Sequence, residues 1–220
     1  MAEIKVSNVS KSIRSHHILS DVSCNFDPGH IYGLVGSNGS GKTMLLRAIS
    51  GLIYPTAGKI EINGKDLKRG DFPCSIGVLI NDPAFPKEFT GRQNLQHLAA
   101  IKKLPDPSAA AENALFKVGL RRNADKRFSG YSLGMKQRLG IAAAILGDPE
   151  IILLDEPTNA LDTDGIALLK EIIRSLPSRK NTVVIIASHE LQIVQELCDT
   201  ILVMKEGRLS RIDSGEGASK

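Results

Sequence analysis

The residues Gly36-Ser37-Asn38-Gly39-Ser40-Gly41-Lys42-Thr43 hold the densest concentration of chemistry in the chain. Three glycines allow the backbone to curl and aim successive N–H groups, those of Ser37, Asn38, Gly39, Ser40 and Gly41, at a single point. Lys42 supplies a cation with the reach of the β- and γ-phosphates of a nucleotide. Thr43 supplies a hydroxyl where a Mg²⁺ ion would sit. An apolar run, Ile31 to Val35, leads into this stretch, and Met44-Leu45-Leu46-Arg47-Ala48-Ile49 leads out of it with helical character. Strand, glycine-rich turn and helix in that order make a phosphate-binding P-loop, with the positive end of the helix dipole behind the anion. A glycine-rich turn with an exposed lysine would share the composition but not the flanking elements.

A second set of groups answers the first. Ile151-Ile152-Leu153-Leu154-Asp155-Glu156 is an apolar strand ending in two carboxylates. Ligands of parallel sheets bind beyond the carboxyl ends of the strands. Asp155 is therefore expected to approach Thr43 and hold Mg²⁺, and Glu156 to serve as general base or orienter for a water attacking the γ-phosphate. An acidic turn after a strand is the plainer alternative. His189 follows another apolar run, Val183 to Ala187, and alone among five histidines has that placement. It is expected to contact the γ-phosphate and steady the attacking water. Tyr131-Ser132-Leu133-Gly134-Met135-Lys136-Gln137-Arg138 opens an amphipathic helix with Ser132 at its N-cap. Such a terminus is a second anion site, beyond the reach of the chain's own P-loop; an ordinary capped helix would read the same way.

The elements that must position these groups change character along the chain. Ile4 to Val9 and Ile18 to Phe26 have strand patterns, and Lys59 to Asn63-Gly64 alternates with period two and ends in a hairpin signal. Ser75 to Ile80 is a further short strand. Helical periods then fall near Leu95–Ile101, Ala109–Val118 and Leu133–Leu146. Strands return at Ile151–Leu154, Val183–Ala187 and Ile201–Met204, separated by helical stretches over Gly165–Ser175 and Leu191–Cys198. Short, wholly apolar strands alternating with helices imply a parallel sheet covered on both faces. The expected organisation is an α/β core over residues 1–80 and 150–220, beginning with a β-rich part, and an all-helical insertion over 81–149. The tail from Asp213 to Lys220 is small and polar and is expected to fray.

Bulk properties narrow the function. Of 220 residues, 42% are hydrophobic, enough for a sizeable core. Aromatic residues make up only 4% and tryptophan is absent, which argues against a stacking platform for single-stranded nucleic acid. Net charge is +4, from 28 basic and 24 acidic residues, with no basic block, so no nucleic-acid partner is expected. Cys24, Cys74 and Cys198 are far apart and read as reduced thiols of a cytoplasmic protein. The first residues, Met1 to Lys5, show no apolar signal region, and no apolar run approaches the roughly 18–20 residues that cross a bilayer. If the protein works in a membrane, another chain supplies the spans.

Together these motifs resemble the nucleotide-binding subunits of ABC transporters over about Ile4 to Arg211. Gly36 to Thr43 is similar to the family's Walker A motif, Ile151 to Glu156 to Walker B with its catalytic glutamate, and Ser132 to Gln137 to the signature motif. Asn159-Ala160-Leu161-Asp162 is similar to the D-loop, His189 to the switch histidine, and Asn81 falls where the family has its Q-loop glutamine. The signature Ser-Leu-Gly-Met-Lys-Gln looks like the group of bacitracin-resistance and lantibiotic-immunity exporters. The resemblance implies a P-loop NTPase fold, a RecA-like core with an antiparallel β subdomain plus an inserted all-helical signature subdomain. It implies an ATPase that dimerises head to tail, as homodimer or heterodimer, around two ATPs. Ser132 and Gly134 of one subunit would cap the γ-phosphate held by the other, Asp162 would join the nucleotide site, and Asn81 would assist Mg²⁺ and water. Separate transmembrane permease subunits would dock near Asn81, placing the protein on the inner face of the cell membrane and powering translocation, with a lean to export.

Three positions depart from the family's pattern. Ile13 stands where an aromatic residue usually stacks on adenine, and offers dispersion without an aromatic face; His16 or His17 could substitute. Leu133 and Met135 replace a glycine and a glutamine of the signature's commonest form. Asn81 is one methylene shorter than glutamine, which reduces its reach. The other class weighed is a soluble ABC-type ATPase acting on nucleic acid or ribosomes, but the second cassette, coiled coil or zinc module usual in that class has no counterpart here.

Overall fold

The computed structural model describes residues 2–176 and 181–211; the tail expected to fray lies outside them. In chain order the elements are β1 (Ile4–Ile13), β2 (His16–Phe26), β3 (Ile31–Val35), α1 (Lys42–Ile49), β4 (Ala57–Ile62), β5 (Lys65–Asp66), β6 (Ile76–Leu79), α2 (Gly91–Ile101), α3 (Pro107–Lys117), α4 (Leu133–Ile145), β7 (Ile151–Asp155), α5 (Thr163–Ser175), β8 (Val183–Ser188), α6 (Leu191–Leu197), β9 (Thr200–Lys205) and β10 (Arg208–Arg211). Two single 3₁₀ turns, at Arg121–Asn123 and Phe128–Gly130, join α3 to α4.

The strands form two sheets. Four antiparallel strands take the order β2-β1-β4-β5, and six take the order β10-β9-β3-β8-β7-β6. The larger sheet is parallel from β9 through β6, with Leu34 opposite both Ala187 and Leu202, and Leu154 opposite both Ile186 and Leu79. Its central strands are apolar on both faces because both faces are covered. Alternation sorts them: Ile151 and Leu153 of β7, with Val183, Ile185 and Ala187 of β8, join a core shared with α1 and the small sheet. Ile152, Leu154, Val184 and Ile186 point the other way, into a core shared with the helices that follow β6. Each such buried aliphatic side chain contributes about 1.5–3 kcal/mol.

The helical reading of the stretch after residue 81 holds, with α2, α3 and α4 there, and α2 and α3 begin at Thr90 and Asp106 caps. Differences from the sequence reading have local causes. β1 continues past Val9 to Ile13 because register shifts and a left-handed Asn8 (φ 51°) break the period-two pattern without ending the strand. β10 has too little apolar character to be read as a strand; the turn Glu206-Gly207, both residues at positive φ, folds it back on β9. β6 lies so close to α4 that a Cβ on Gly77 would stand 1.6 Å from the Ala144 carbonyl oxygen. No helix among the described residues is long and apolar enough to cross a membrane.

Candidate active site at the strand carboxyl ends

The parallel arrangement delivers four chain segments to one edge of the large sheet: the loop after β3, Asn81 after β6, Asp155-Glu156 at the end of β7, and Ser188-His189 at the end of β8. The loop turns through left-handed Gly39 (φ 80°) and Gly41 (φ 111°), and a Cβ on Gly36 would stand 2.2 Å from the Met204 carbonyl oxygen. Gly41 is the N-cap of α1 and offers no side-chain cap, and the first turn carries no acid. The leading N–H groups of α1 are thus left for an anion.

Lys42 is 5% exposed and lies over its own loop, donating to the carbonyl oxygens of Gly36 at 2.7 Å and Ser37 at 3.2 Å. Its Nζ is also 3.7 Å from Glu156 Oε1. Thr43, next on α1, donates from Oγ1 to Asp155 Oδ2 at 2.7 Å. Asp155 is buried, and burial pushes its carboxyl above the usual carboxylate range against the pull of the Thr43 hydrogen bond.

Glu156 leaves β7 in a left-handed conformation (φ 47°), while its backbone N–H donates to the Ala187 carbonyl oxygen at 2.8 Å. That turn sets its carboxylate against β8: Oε2 is 2.8 Å from His189 Nδ1 and accepts from Ser188 Oγ at 3.3 Å. A buried amide fixes the turn from behind. Gln137 of α4 donates to the carbonyl oxygens of Glu156 at 3.3 Å and Pro157 at 3.0 Å. Asn81 is left-handed as well (φ 63°), and its Oδ1 accepts from Arg47 Nη2 at 3.1 Å.

Four side-chain oxygens in and beside this cluster are buried without a hydrogen-bond partner: Ser40 Oγ, Asp155 Oδ1, Glu156 Oε1 and Thr158 Oγ1. Orphaned buried acceptors are rare in folded proteins and mark places where a cation, a water or a ligand completes the set. A hydroxyl, a carboxylate and an unsatisfied carboxylate oxygen are hard donors of the kind Mg²⁺ takes, so the residues fit that ion.

Lys42, Thr43, Asp155, Glu156 and His189 thus converge as the sequence reading anticipated. Ser132, Gly134 and Asp162 make no hydrogen bond to these five among the described residues. Ser132 caps α4, its Oγ accepting from Met135 N at 3.2 Å, the only hydrogen bond of that hydroxyl among the described residues. Gly134 packs so that a Cβ there would lie 2.9 Å from the Ala160 carbonyl oxygen. Asp162 caps α5, accepting from Gly165 N and from Arg138 Nη2, both at 2.9 Å. Ile13 is 46% exposed at the end of β1, paired with His16 across the turn, and His17 Nδ1 is 3.0 Å from Ser12 Oγ. Arg47, Gln137 and Ser188 take part without having been singled out from the sequence. Gln137 closes the signature-like run Ser132 to Gln137, where it counts as part of the motif and has no contact of its own assigned. Cys24 and Cys198 are free thiols whose pKa burial pushes up to about 12, which disfavours the thiolate form.

A nucleotide-binding cassette is the class of protein that this sheet, loop and set of strand-end residues define. Residues 19–159 match the ABC transporter family, and the chain belongs to it. It is 44% identical over 207 residues to the uncharacterized ABC transporter ATP-binding protein YybJ of Bacillus subtilis (strain 168), covering 94% of each chain. It is 38% identical to the bacitracin transport ATP-binding protein BcrA of Enterococcus faecalis, covering 94% of this chain and 67% of the relative. Identity is likewise 38% to the lantibiotic transport ATP-binding protein SrtF of Streptococcus pyogenes, over 94% of this chain and 88% of the relative. Among solved structures, a dimeric ATP-binding cassette in a post-hydrolysis state with ADP and Pi superposes with a TM-score of 0.84 at 25% identity, covering 97% of this chain and 99% of that one. The fold is accordingly that of the P-loop NTPases, the chain is an ATP-binding subunit with ATPase activity, and its likeness to the bacitracin and lantibiotic group stands.

Proposed function

We propose that this chain binds Mg·ATP at the loop 36–43, closes on a second subunit around two nucleotides, and drives export through membrane-spanning partners. The observation that carries the reading is the convergence of Lys42, Thr43, Asp155, Glu156 and His189 on one sheet edge, with buried oxygens left unsatisfied there.

The contacts described above support a part for each residue. The N–H groups of Ser37, Asn38, Gly39, Ser40 and Gly41 cradle the phosphates. Lys42 leaves the carbonyls of Gly36 and Ser37 for the β- and γ-phosphates, a stronger partner because the bond is charge-assisted at both ends. Thr43 and Asp155, with help from Asn81, would hold Mg²⁺, which neutralises charge on the β- and γ-phosphoryl oxygens when bound. Glu156 accepts the proton of the attacking water as that oxygen bonds to the γ-phosphorus and ADP departs. His189 holds the Glu156 carboxylate in place and faces the γ-phosphate. Ile13, with His16 beside it, receives the base.

Ser132 and Gly134 act on the nucleotide of the partner subunit, and Asp162 lies on the same opposing surface. The lack of any hydrogen bond from Ser132 or Asp162 to the loop among the described residues, and the dimeric state of the structural relative, support that arrangement. Because two phosphate-binding surfaces meet on one ligand, ATP itself supplies the preference for the closed state, and hydrolysis removes it. We assign residues 1–80 and 150–220 to the ATPase core and 81–149 to the signature-bearing unit. A groove of about 330 Å³ beside Asn81, with Val78, Ile80, Pro83, Phe85 and Leu98 in its lining, is where a permease subunit docks. A chain docked there would work on the cytoplasmic face of the membrane. The bacitracin and lantibiotic transport relatives support a role in transport, and the lean to export rests on the resemblance of the signature alone.

Mixing subunits tests the composite site. Ser132→Arg and Lys42→Ala chains are each expected to be inactive as homodimers. Their mixture restores a single intact site and a measurable fraction of the wild-type ATPase rate. No recovery, with both variants folded and Ser132→Arg still binding ATP, overturns the trans assignment.

A further inference from the structure

Helix α1 carries Thr43 and Arg47 one turn apart, hence on one face. The two side chains engage neighbouring strand ends: Thr43 holds Asp155 at the end of β7, and Arg47 holds Asn81 just past β6. β6 and β7 run side by side with Leu79 opposite Leu154, and Asn81 and Glu156 each stand two residues further on in left-handed conformation. Asparagine is among the few side chains that take this conformation readily, so the residue one methylene shorter than glutamine suits the backbone it sits on.

The Arg47 contact has a chemical direction. A guanidinium carries donors only, so the atom of Asn81 facing it is the carboxamide oxygen whatever the assignment of the amide. That oxygen is also the one atom of the Asn81 side chain able to coordinate a cation; the NH₂ group cannot. The described structure therefore spends the metal-competent atom of Asn81 on Arg47. Both residues also line the apolar groove of about 330 Å³, so the contact lies on the floor of the surface that the proposed permease segment would fill.

We propose that Arg47 is a positioning residue that holds the Asn81 carboxamide oxygen away from the bound cation, and that releasing Arg47 is what admits Asn81 to the nucleotide site. The inference rests on the reading of Asn81 as a Mg²⁺ partner. The contact joins a half-buried guanidinium to an exposed amide, so it is weak enough for a docking segment or bound nucleotide to displace. Its loss should shift the cation equilibrium by roughly threefold to tenfold, the range of a single solvent-screened charged hydrogen bond.

The test measures equilibrium binding of a fluorescent N-methylanthraniloyl derivative of ATP to the purified chain across a Mg²⁺ titration, with an EDTA control. Arg47→Met keeps an unbranched apolar stem and removes the donors. It is expected to lower the half-saturating Mg²⁺ concentration by about threefold to tenfold, with affinity in EDTA unchanged. Arg47→Lys keeps a donor and should stay near wild type. In an Asn81→Ala background, Arg47→Met should have no further effect. An unchanged or raised Mg²⁺ requirement in Arg47→Met overturns the proposal, as does the same shift with Asn81 absent. The underlying reading fails separately: Asn81→Ala would then leave the Mg²⁺ dependence of the otherwise wild-type chain where it was.

Discussion

His189 Nδ1 stands 2.8 Å from Glu156 Oε2, although the two residues are 33 positions apart and end adjacent parallel strands. The left-handed turn at Glu156 makes this possible by carrying its carboxylate across from β7 to β8. A base held this way loses little orientational freedom when water arrives, which is the benefit that a second group gives a catalytic one. Removing the imidazole with His189→Ala is expected to lower ATP turnover by about 10–100-fold while ATP affinity changes by less than about threefold. An affinity loss matching the rate loss would mean that His189 binds ground-state nucleotide instead of orienting Glu156.

Glu156→Gln keeps the size of the side chain and its contact with Ser188 but removes the base. Hydrolysis should fall by about 10²–10⁴-fold, and ATP should accumulate a dimer visible by light scattering. Turnover at the wild-type rate would exclude Glu156 as base.

Lys42→Ala removes the ammonium that now lies on the carbonyls of Gly36 and Ser37. Charge-assisted hydrogen bonds to phosphate contribute about 1.5–3 kcal/mol each, so ATP affinity should drop by on the order of 10–100-fold or more in calorimetric titration. Retained affinity would refute the phosphate cradle.

Asp155 makes a prediction about stability. Its carboxyl is raised by burial, so the folded chain holds that proton more readily than the unfolded chain does. Its contribution to folding is therefore most favourable at low pH and declines as pH rises through the raised value, leaving the ionised group destabilising at neutral pH. Asp155→Asn should raise the melting temperature of the nucleotide-free chain at pH 7 by a few degrees, the scale of about 1 kcal/mol in a domain of this size. The same variant should lose the Mg²⁺ dependence of nucleotide binding. A lower melting temperature would show that the Thr43 contact outweighs burial.

Ile13 should discriminate poorly between bases. GTP is expected to compete with ATP within about tenfold, and Ile13→Tyr to tighten ATP by about threefold to tenfold, since an aromatic contact contributes about 0.5–1.5 kcal/mol beyond area. A strong ATP preference in the wild type would place base recognition elsewhere.

Much of this was legible in the sequence because the signals are local. Glycine spacing before Lys42 and Thr43 specifies a loop that only one kind of ligand fills, and four or five consecutive apolar residues at β3, β7 and β8 specify strands covered on both faces. Carboxylates and a histidine just past such strands are bound to share an edge once the sheet is parallel. Strand ends at Ile13 and Arg211 were less legible, because a bulge at Asn8 and a turn at Glu206-Gly207 override hydrophobic period. What only the tertiary structure decided is which polar atoms find one another. Gln137 reaches the carbonyls of Glu156 and Pro157 from a helix 19 and 20 positions away in the chain, and Arg47 reaches Asn81 across 34. No pattern along the sequence encodes such pairings; they follow from how α1 and α4 pack on the sheet, and packing is a property of the whole core.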